Sequence, residues 1–455
     1  MNMKYLLKSG IVLLTSLFLA ASPLSHAGNR SCKAASGGIR QEIAANPELA
    51  AGLFNPYPDH NIGIISDAPK GYRPFYISHY GRHGSRWLAN DREYSNVTKP
   101  LERAAKAGKL TDKGRKLLER VMLAREQARG IEGCLSPLGT LQHRGIAERT
   151  FANYPDVFAN RAEIDARSTM TVRCVMSMNA FCLRLKELNP DLEIGFEASD
   201  RNTAILAHVY GAANEVDPAY KDYCRNGEYL RRAHAIVREK MGSEDFLDSL
   251  FTDYVFKNKE EEMNFIFYLF YLVSDQKNVM PENRMWDIYT PDQLYWMTVA
   301  ENFRGIAKFG GHQGCEKWTL AYAVPLLEDI IGRCDNAVAG NGRAADLRFG
   351  HDVVLMALVP LMCLDGYDKV PDDPEKLLAA WNLYDITPMA ANMQMVFYRP
   401  VRKSDGEVLV KILLNEHEVS LPLKSHNGKY YSWNDVRKLL NDRTNKYKTQ
   451  TERTK

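Results

Sequence analysis

Arg73-Pro74-Phe75-Tyr76-Ile77-Ser78-His79 runs through Tyr80 into Gly81-Arg82-His83-Gly84-Ser85-Arg86. The first part is short, aromatic and β-branched, the composition of a strand. The strand runs straight into the second part. Two later passages repeat the pattern. Ala162 to Ser168 reads as a short strand, after which Thr169 can cap a helix carrying Arg173, Val175, Met178, Phe181, Leu185 and Leu188. Ala345-Asp346-Leu347-Arg348-Phe349 reads as a third strand, Gly350 as its turn, and His351-Asp352 as the opening of an apolar helix from Val353 to Cys363. Strand, turn and helix in repetition place the chain in the α/β class.

Between these passages, Thr111-Asp112 starts an amphipathic helix with Leu117, Leu118, Val121 and Met122 on one side, closed by Gly130. Ser136 before Pro137 is an N-cap and first-turn proline, opening a helix through about Phe151. From 191 to 309 the strand pattern gives way to charged and aromatic helical stretches such as Glu260 to Val273 and Pro291 to Arg304, which predicts a smaller helical insertion. Met393 to Arg399 and Val408 to Leu414 read as late strands. The predicted organisation is a signal peptide over 1–27, an α/β domain over 28–190 and 310–445, a helical insertion or cap over 191–309, and a polar tail over 446–455 expected to be disordered.

The leader rests on Lys4 and Lys8, an apolar run from Ile11 to Ala21, and Ser25-His26-Ala27 as a small-residue cleavage site. Its apolar run is about 11 residues, short of the roughly 20 that span a bilayer, so the sequence predicts a secreted, periplasmic protein with no membrane span. The 455 residues carry 59 Lys and Arg against 56 Asp and Glu, a net charge of +3, which gives no basic field for nucleic acid. Eight cysteines in an exported chain favour disulfides. Cys174 with Cys182 is excluded, because eight helical residues separate the pair by about 12 Å. No C-x-x-C or H-E-x-x-H pattern occurs, so a structural zinc or zinc-protease site has no support; no cofactor is expected.

Ligand crevices in open α/β sheets lie beyond the carboxyl ends of the strands. Residues just past the three strands are therefore the candidates: Arg82, His83 and Arg86 from the first, Arg173 from the second, and His351 with Asp352 from the third. Taken singly, each has an ordinary structural reading: a salt-bridged arginine, a snorkelling one, a helix N-cap. Together, three guanidiniums, two imidazoles and a carboxyl at a helix start suit a tetrahedral dianion such as a phosphoryl group. The remaining histidines, His79 and His143 among them, read as packing or surface residues.

Tyr80-Gly81-Arg82-His83-Gly84-Ser85-Arg86, Arg167-Ser168-Thr169 with Arg173, and Gly350-His351-Asp352 resemble the active-site segments of the histidine acid phosphatases, in the same order. Leu135-Ser136-Pro137-Leu138-Gly139 with Gln142-His143 resembles that family's supporting helix. Ala391 to Arg399 and Leu413-Leu414-Asn415-Glu416 are similar to the C-terminal strands of its multiple inositol-polyphosphate phosphatase branch. Two departures stand out: the chain has His351-Asp352-Val353 where that branch commonly has His-Ala-Glu, and Trp87-Leu88 follows Arg86 where the family has a proline. The resemblance implies an open mixed sheet flanked by helices. It also implies a metal-independent phosphomonoesterase with His83 as nucleophile, Asp352 as proton donor, and Arg82, Arg86, Arg173 and His351 holding phosphate. The implied partner is a small phosphate ester, an inositol phosphate such as phytate, with broad acid phosphatase or sugar-phosphate phosphatase activity as the alternative. A non-catalytic phospho-ligand binding protein is a third reading, and oligomeric state is left open.

Overall fold

The computed structural model describes residues 36–58, 62–207, 216–402 and 406–452; the signal-peptide segment and Cys32 lie outside them. Eight strands form one mixed sheet: β1 Tyr72–Arg82, β2 Glu163–Ser168, β3 Glu193–Ala198, β4 Ala345–Gly350, β5 Asn392–Pro400, β6 Leu409–Leu414, β7 His417–Glu418 and β8 Tyr431–Ser432. Their order is β3-β2-β4-β1-β5-β6-β7, with β8 pairing β6. The first four in that order run parallel, while β5 and β6 are antiparallel to their neighbours. The carboxyl ends of β1, β2 and β4 therefore share one edge with the start of β5. Arg82 pairs with Gly350 there, and Gly81 with Asn392.

Side chains alternate across the sheet with the two-residue period of strands. Tyr76, Tyr80, Met395, Phe397 and Ile412 face one way, into a core shared with the helices Glu316–Val338, Asp352–Leu361 and Trp433–Glu452. Ile77, Ala166, Leu347, Val396 and Leu413 face the other, against Pro137–Asn153 and Val172–Leu188. Both faces are covered, as parallel strands require. A further apolar core joins residues 39–54, the helices Asp91–Lys106 and Asp112–Ala128, and the helices Lys259–Val279 and Pro291–Phe309.

The open mixed sheet flanked by helices is the architecture expected from the sequence. The N-caps of two helices also match expectation: Thr111 accepts from the Gly114 N–H and Ser136 from the Gly139 N–H. Several local expectations differ. β3 lies inside the stretch read as helical, because its edge position leaves it half-exposed on both faces and erases the strand alternation. The tail expected to be disordered is helical through 452, anchored by buried Tyr447 against the sheet-side core. Thr169 does not cap a helix; Thr171 holds that position before Val172. The seven described cysteines are all free thiols, five of them buried, so the expected disulfides are absent among them. Of the buried thiols, Cys174 donates to Gly350 O at 3.2 Å and Cys315 to Gly310 O at 3.3 Å, while Cys182 and Cys334 fill core positions as small hydrophobes. No helix among the described residues is long and apolar enough to cross a membrane.

Candidate active site

All six residues singled out from the sequence sit around the sheet edge where β1, β2 and β4 end. His83 is one residue past β1, its N–H donating to Gly350 O at 3.0 Å and its own carbonyl accepting from Ala390 N–H at 3.0 Å. Its backbone is thus fixed between the ends of β4 and β5. The next residue must be glycine, since a Cβ on Gly84 would lie 2.5 Å from Gly139 O and 2.7 Å from Gly139 Cα, backbone atoms that cannot rotate away. Ser85 completes the turn: its N–H donates to Gln142 Oε1 at 2.8 Å and its hydroxyl to Asn278 Oδ1 at 2.6 Å.

The His83 imidazole is buried, with Nδ1 3.0 Å from Gly84 O. A carbonyl oxygen only accepts, so Nδ1 carries the hydrogen and Nε2 keeps a lone pair. Burial, then Arg173, Arg82, Arg86 and His351, hold His83 well below the usual histidine range. It is a neutral base in mild acid. The His351 ring stands edge-on to it with centroids 5.7 Å apart, and burial followed by Arg173 pushes its pKa down to about 3. Tyr80 orients this second histidine, its phenol oxygen accepting from the His351 N–H at 3.0 Å. Gly350 must also be glycine, because a Cβ there would lie 2.3 Å from that phenol oxygen and 2.7 Å from Leu206 O. Thr169, released from the capping role, places its hydroxyl 3.4 Å from His351 Nε2.

Arg82 is fully buried, its Nη1 donating to Leu53 O at 2.5 Å and to Thr387 O at 2.7 Å. Its Nη2 lies 3.4 Å from Asp352 Oδ2. Arg82 Nε and Nη2 and Arg86 Nε are buried and make no hydrogen bond within the protein. Buried donors of this kind call for an acceptor, and guanidiniums favour an anionic one. Arg173, in the first turn of Val172–Leu188, contributes its charge to the same space and depresses both histidines. Asp352 opens its helix with its side chain 17% exposed. Burial alone would raise its pKa, yet Arg82, His351, Arg86 and the Val353 N–H together hold it below the usual aspartate range. Among the described residues no group of three or more His, Cys, Asp or Glu is placed to hold a metal ion.

A second layer escaped the sequence reading. Asn415 Nδ2 donates to Asp385 O at 2.6 Å and to Ile386 O at 3.1 Å, and its Oδ1 accepts from the Asn392 N–H at 2.9 Å. This one side chain ties the start of β5 to the turn whose Thr387 carbonyl anchors Arg82. Asn278, on the Lys259–Val279 helix, also belongs here and had no local signal. His79 and His143, read as packing residues, are buried against Phe349, ring centroids 5.5 and 5.6 Å away.

Those two imidazoles carry an expected result for stability. Burial depresses each to a pKa of about 3, whereas the unfolded chain titrates them near 6.5. Between those values the unfolded state binds protons that the native state refuses, so stability is full above the unfolded pKa and is lost as pH falls toward the folded one. The urea midpoint should drop markedly between about pH 7 and pH 4.5; a flat midpoint across that window would show that the rings accept protons in place.

No protein-family model matches the chain, and no curated protein matches its sequence. Solved structures do match. The Bifidobacterium longum multiple inositol polyphosphate phosphatase in complex with phosphate is 20% identical, with a TM-score of 0.71 over 86% of this chain and 97% of that one. Its complex with inositol hexasulfate aligns over the same shares at 20% identity with a TM-score of 0.69. The D. castellii phytase is 14% identical, with a TM-score of 0.64 over 87% of this chain and 85% of that one. The chain shares the fold of these proteins along nearly its whole described length.

Proposed function

We propose that the chain is a metal-independent phosphomonoesterase of the histidine acid phosphatase family, exported to the periplasm, that hydrolyses inositol phosphates such as phytate. The observation that carries this reading is the convergence on one sheet edge of a neutral, buried imidazole with a free Nε2, two guanidiniums whose buried Nε donors make no hydrogen bond, and a carboxyl beside them. The fold shared with an inositol polyphosphate phosphatase and a phytase directs the choice of substrate. Export rests on the sequence of residues 1–27.

In this mechanism His83 Nε2 attacks phosphorus in line with the leaving oxygen, the P–O ester bond breaks, and a phosphohistidine forms. Arg82, Arg86, Arg173 and His351 hold the equatorial oxygens, where the loose transition state carries its charge. Asp352 delivers a proton to the departing alkoxide and afterwards, as carboxylate, takes one from the water that attacks the phosphoenzyme. The arginines that ionise Asp352 before substrate binds are themselves neutralised by the phosphoryl dianion, which lifts the carboxyl toward protonation when a donor is needed.

The test is phosphate release from phytate, with glucose-1-phosphate and an aryl phosphate in parallel and product isomers resolved. Release from phytate with an acidic optimum is expected, because His83 stays neutral in acid while Asp352 loses its proton as pH rises. Preference for glucose-1-phosphate would replace the substrate and keep the chemistry. Calorimetric binding of phytate without release from any of the three would reduce the chain to a binding protein.

A further inference from the structure

Asp275, on the Lys259–Val279 helix, is fully buried and is joined through Asn278 to Ser85 in the loop that carries His83 and Arg86. Its Oδ1 accepts from Asn278 Nδ2 at 3.0 Å, and its Oδ2 has no hydrogen-bond partner. Asn278 links it to the loop: Asn278 Oδ1 accepts the Ser85 hydroxyl at 2.6 Å, and Nδ2 also donates to Phe54 O at 2.7 Å. The charged and titratable groups that act on Asp275 are Arg86 and Arg82 from the loop and β1, and Glu93 and Tyr94 from Asp91–Lys106. The mechanism above uses none of its atoms.

We propose that Asp275 is a positioning residue of the phosphate pocket that takes up a proton from solvent when a dianion binds to Arg82 and Arg86, and returns it on release. This rests on the reading of the pocket as a phosphate site. The carboxylate and the ligand compete for the field of the same two guanidiniums. In a low-dielectric interior, two added negative charges repel a third, and a buried charge relieves that repulsion most cheaply by neutralising. Oδ2, with no donor opposite it, is the atom free to accept the proton. Burial first, and Glu93 in addition, raise the carboxyl, while Arg86, Asn278 and Arg82 lower it, leaving a pKa of about 7. Exchange of its charge therefore falls within the neutral range. By reciprocity, proton uptake on binding requires dianion affinity to fall as pH rises through that range.

Inorganic sulfate is the probe, because it remains a dianion across this range and does not titrate itself. Calorimetry in two buffers of different ionisation enthalpy should show uptake of up to about half a proton by the wild type at about pH 7, where Asp275 is half ionised before sulfate binds. In the ligand-free protein, protonation of His83, His351 and Asp352 lies on the acid side of that window. Asp275→Asn should abolish the uptake at neutral pH and flatten sulfate affinity against pH. Asn278→Leu, which removes the donor to Oδ1, should move the uptake window to higher pH; a merely structural role lowers stability and leaves the window in place. Uptake unchanged in Asp275→Asn, or none in a wild type that binds sulfate, overturns the proposal. A wild type that does not bind sulfate at all overturns the phosphate-site reading beneath it, a different and separable failure.

Discussion

His83→Ala is expected to lose turnover of phytate by on the order of 10⁴-fold or more, the scale of removing a covalent nucleophile, while still binding sulfate within a few-fold of the wild type. The two halves of this expectation come from different atoms. Turnover needs the lone pair on Nε2, which the Nδ1 contact to Gly84 O secures. Anion binding needs Arg82 and Arg86, and Arg82 is held by the Leu53 and Thr387 carbonyls, not by the imidazole. Alanine leaves those anchors untouched. Rapid alkaline quench of the wild type with phosphate-labelled substrate should trap label on the protein, and the variant should trap none. Retention of more than a few per cent of kcat by the variant, or an unlabelled wild type, would require water to be the attacking group.

The residues nearest the reaction are legible because they lie at or within a few residues of the ends of strands with strong local signatures. Tyr76, Ile77 and Tyr80 announce β1, Leu347 and Phe349 announce β4, and in each case the histidine is the first residue past the strand. Ser136 before Pro137 was equally readable, since capping chemistry is local. The second layer was not. Asn278 meets Ser85 across 193 residues of sequence, and nothing in either neighbourhood encodes the meeting. Asp275 lies just past the segment read as helix, amid polar residues that look like a solvated helix end, yet it is fully buried. β3 is hidden for a different reason: an edge strand that stays largely exposed, with only Ile194 partly packed on the core, has little alternation to display. The final helix was hidden by its charge, with Tyr447 among lysines as the sole apolar anchor in its last turns.

Asp352→Asn is the substitution that separates the two chemical steps. The amide fits the carboxyl's place at the start of Asp352–Leu361 and can remain near Arg82, but it has no proton to give at mildly acidic pH and no basic oxygen. With phytate, whose alkoxide leaves poorly, kcat/KM should fall by about 10²–10⁴, the range of a positioned general acid. With an aryl phosphate, whose phenolate leaves without help, kcat/KM should fall far less. Its steady-state rate should nevertheless drop, because the phosphohistidine still waits for a water that Asp352 would have activated. The variant should therefore release a burst of phenol equal to the enzyme present and then turn over slowly, with label accumulating on His83. The wild type should show a smaller burst or none. Removing the carboxylate also frees the Arg82 Nη2 that it faces at 3.4 Å, so phosphate should inhibit the variant more strongly than the wild type. Equal losses of kcat/KM on both substrates, without a burst, would place the proton donor elsewhere in the pocket and leave Asp352 as a counter-charge to Arg82.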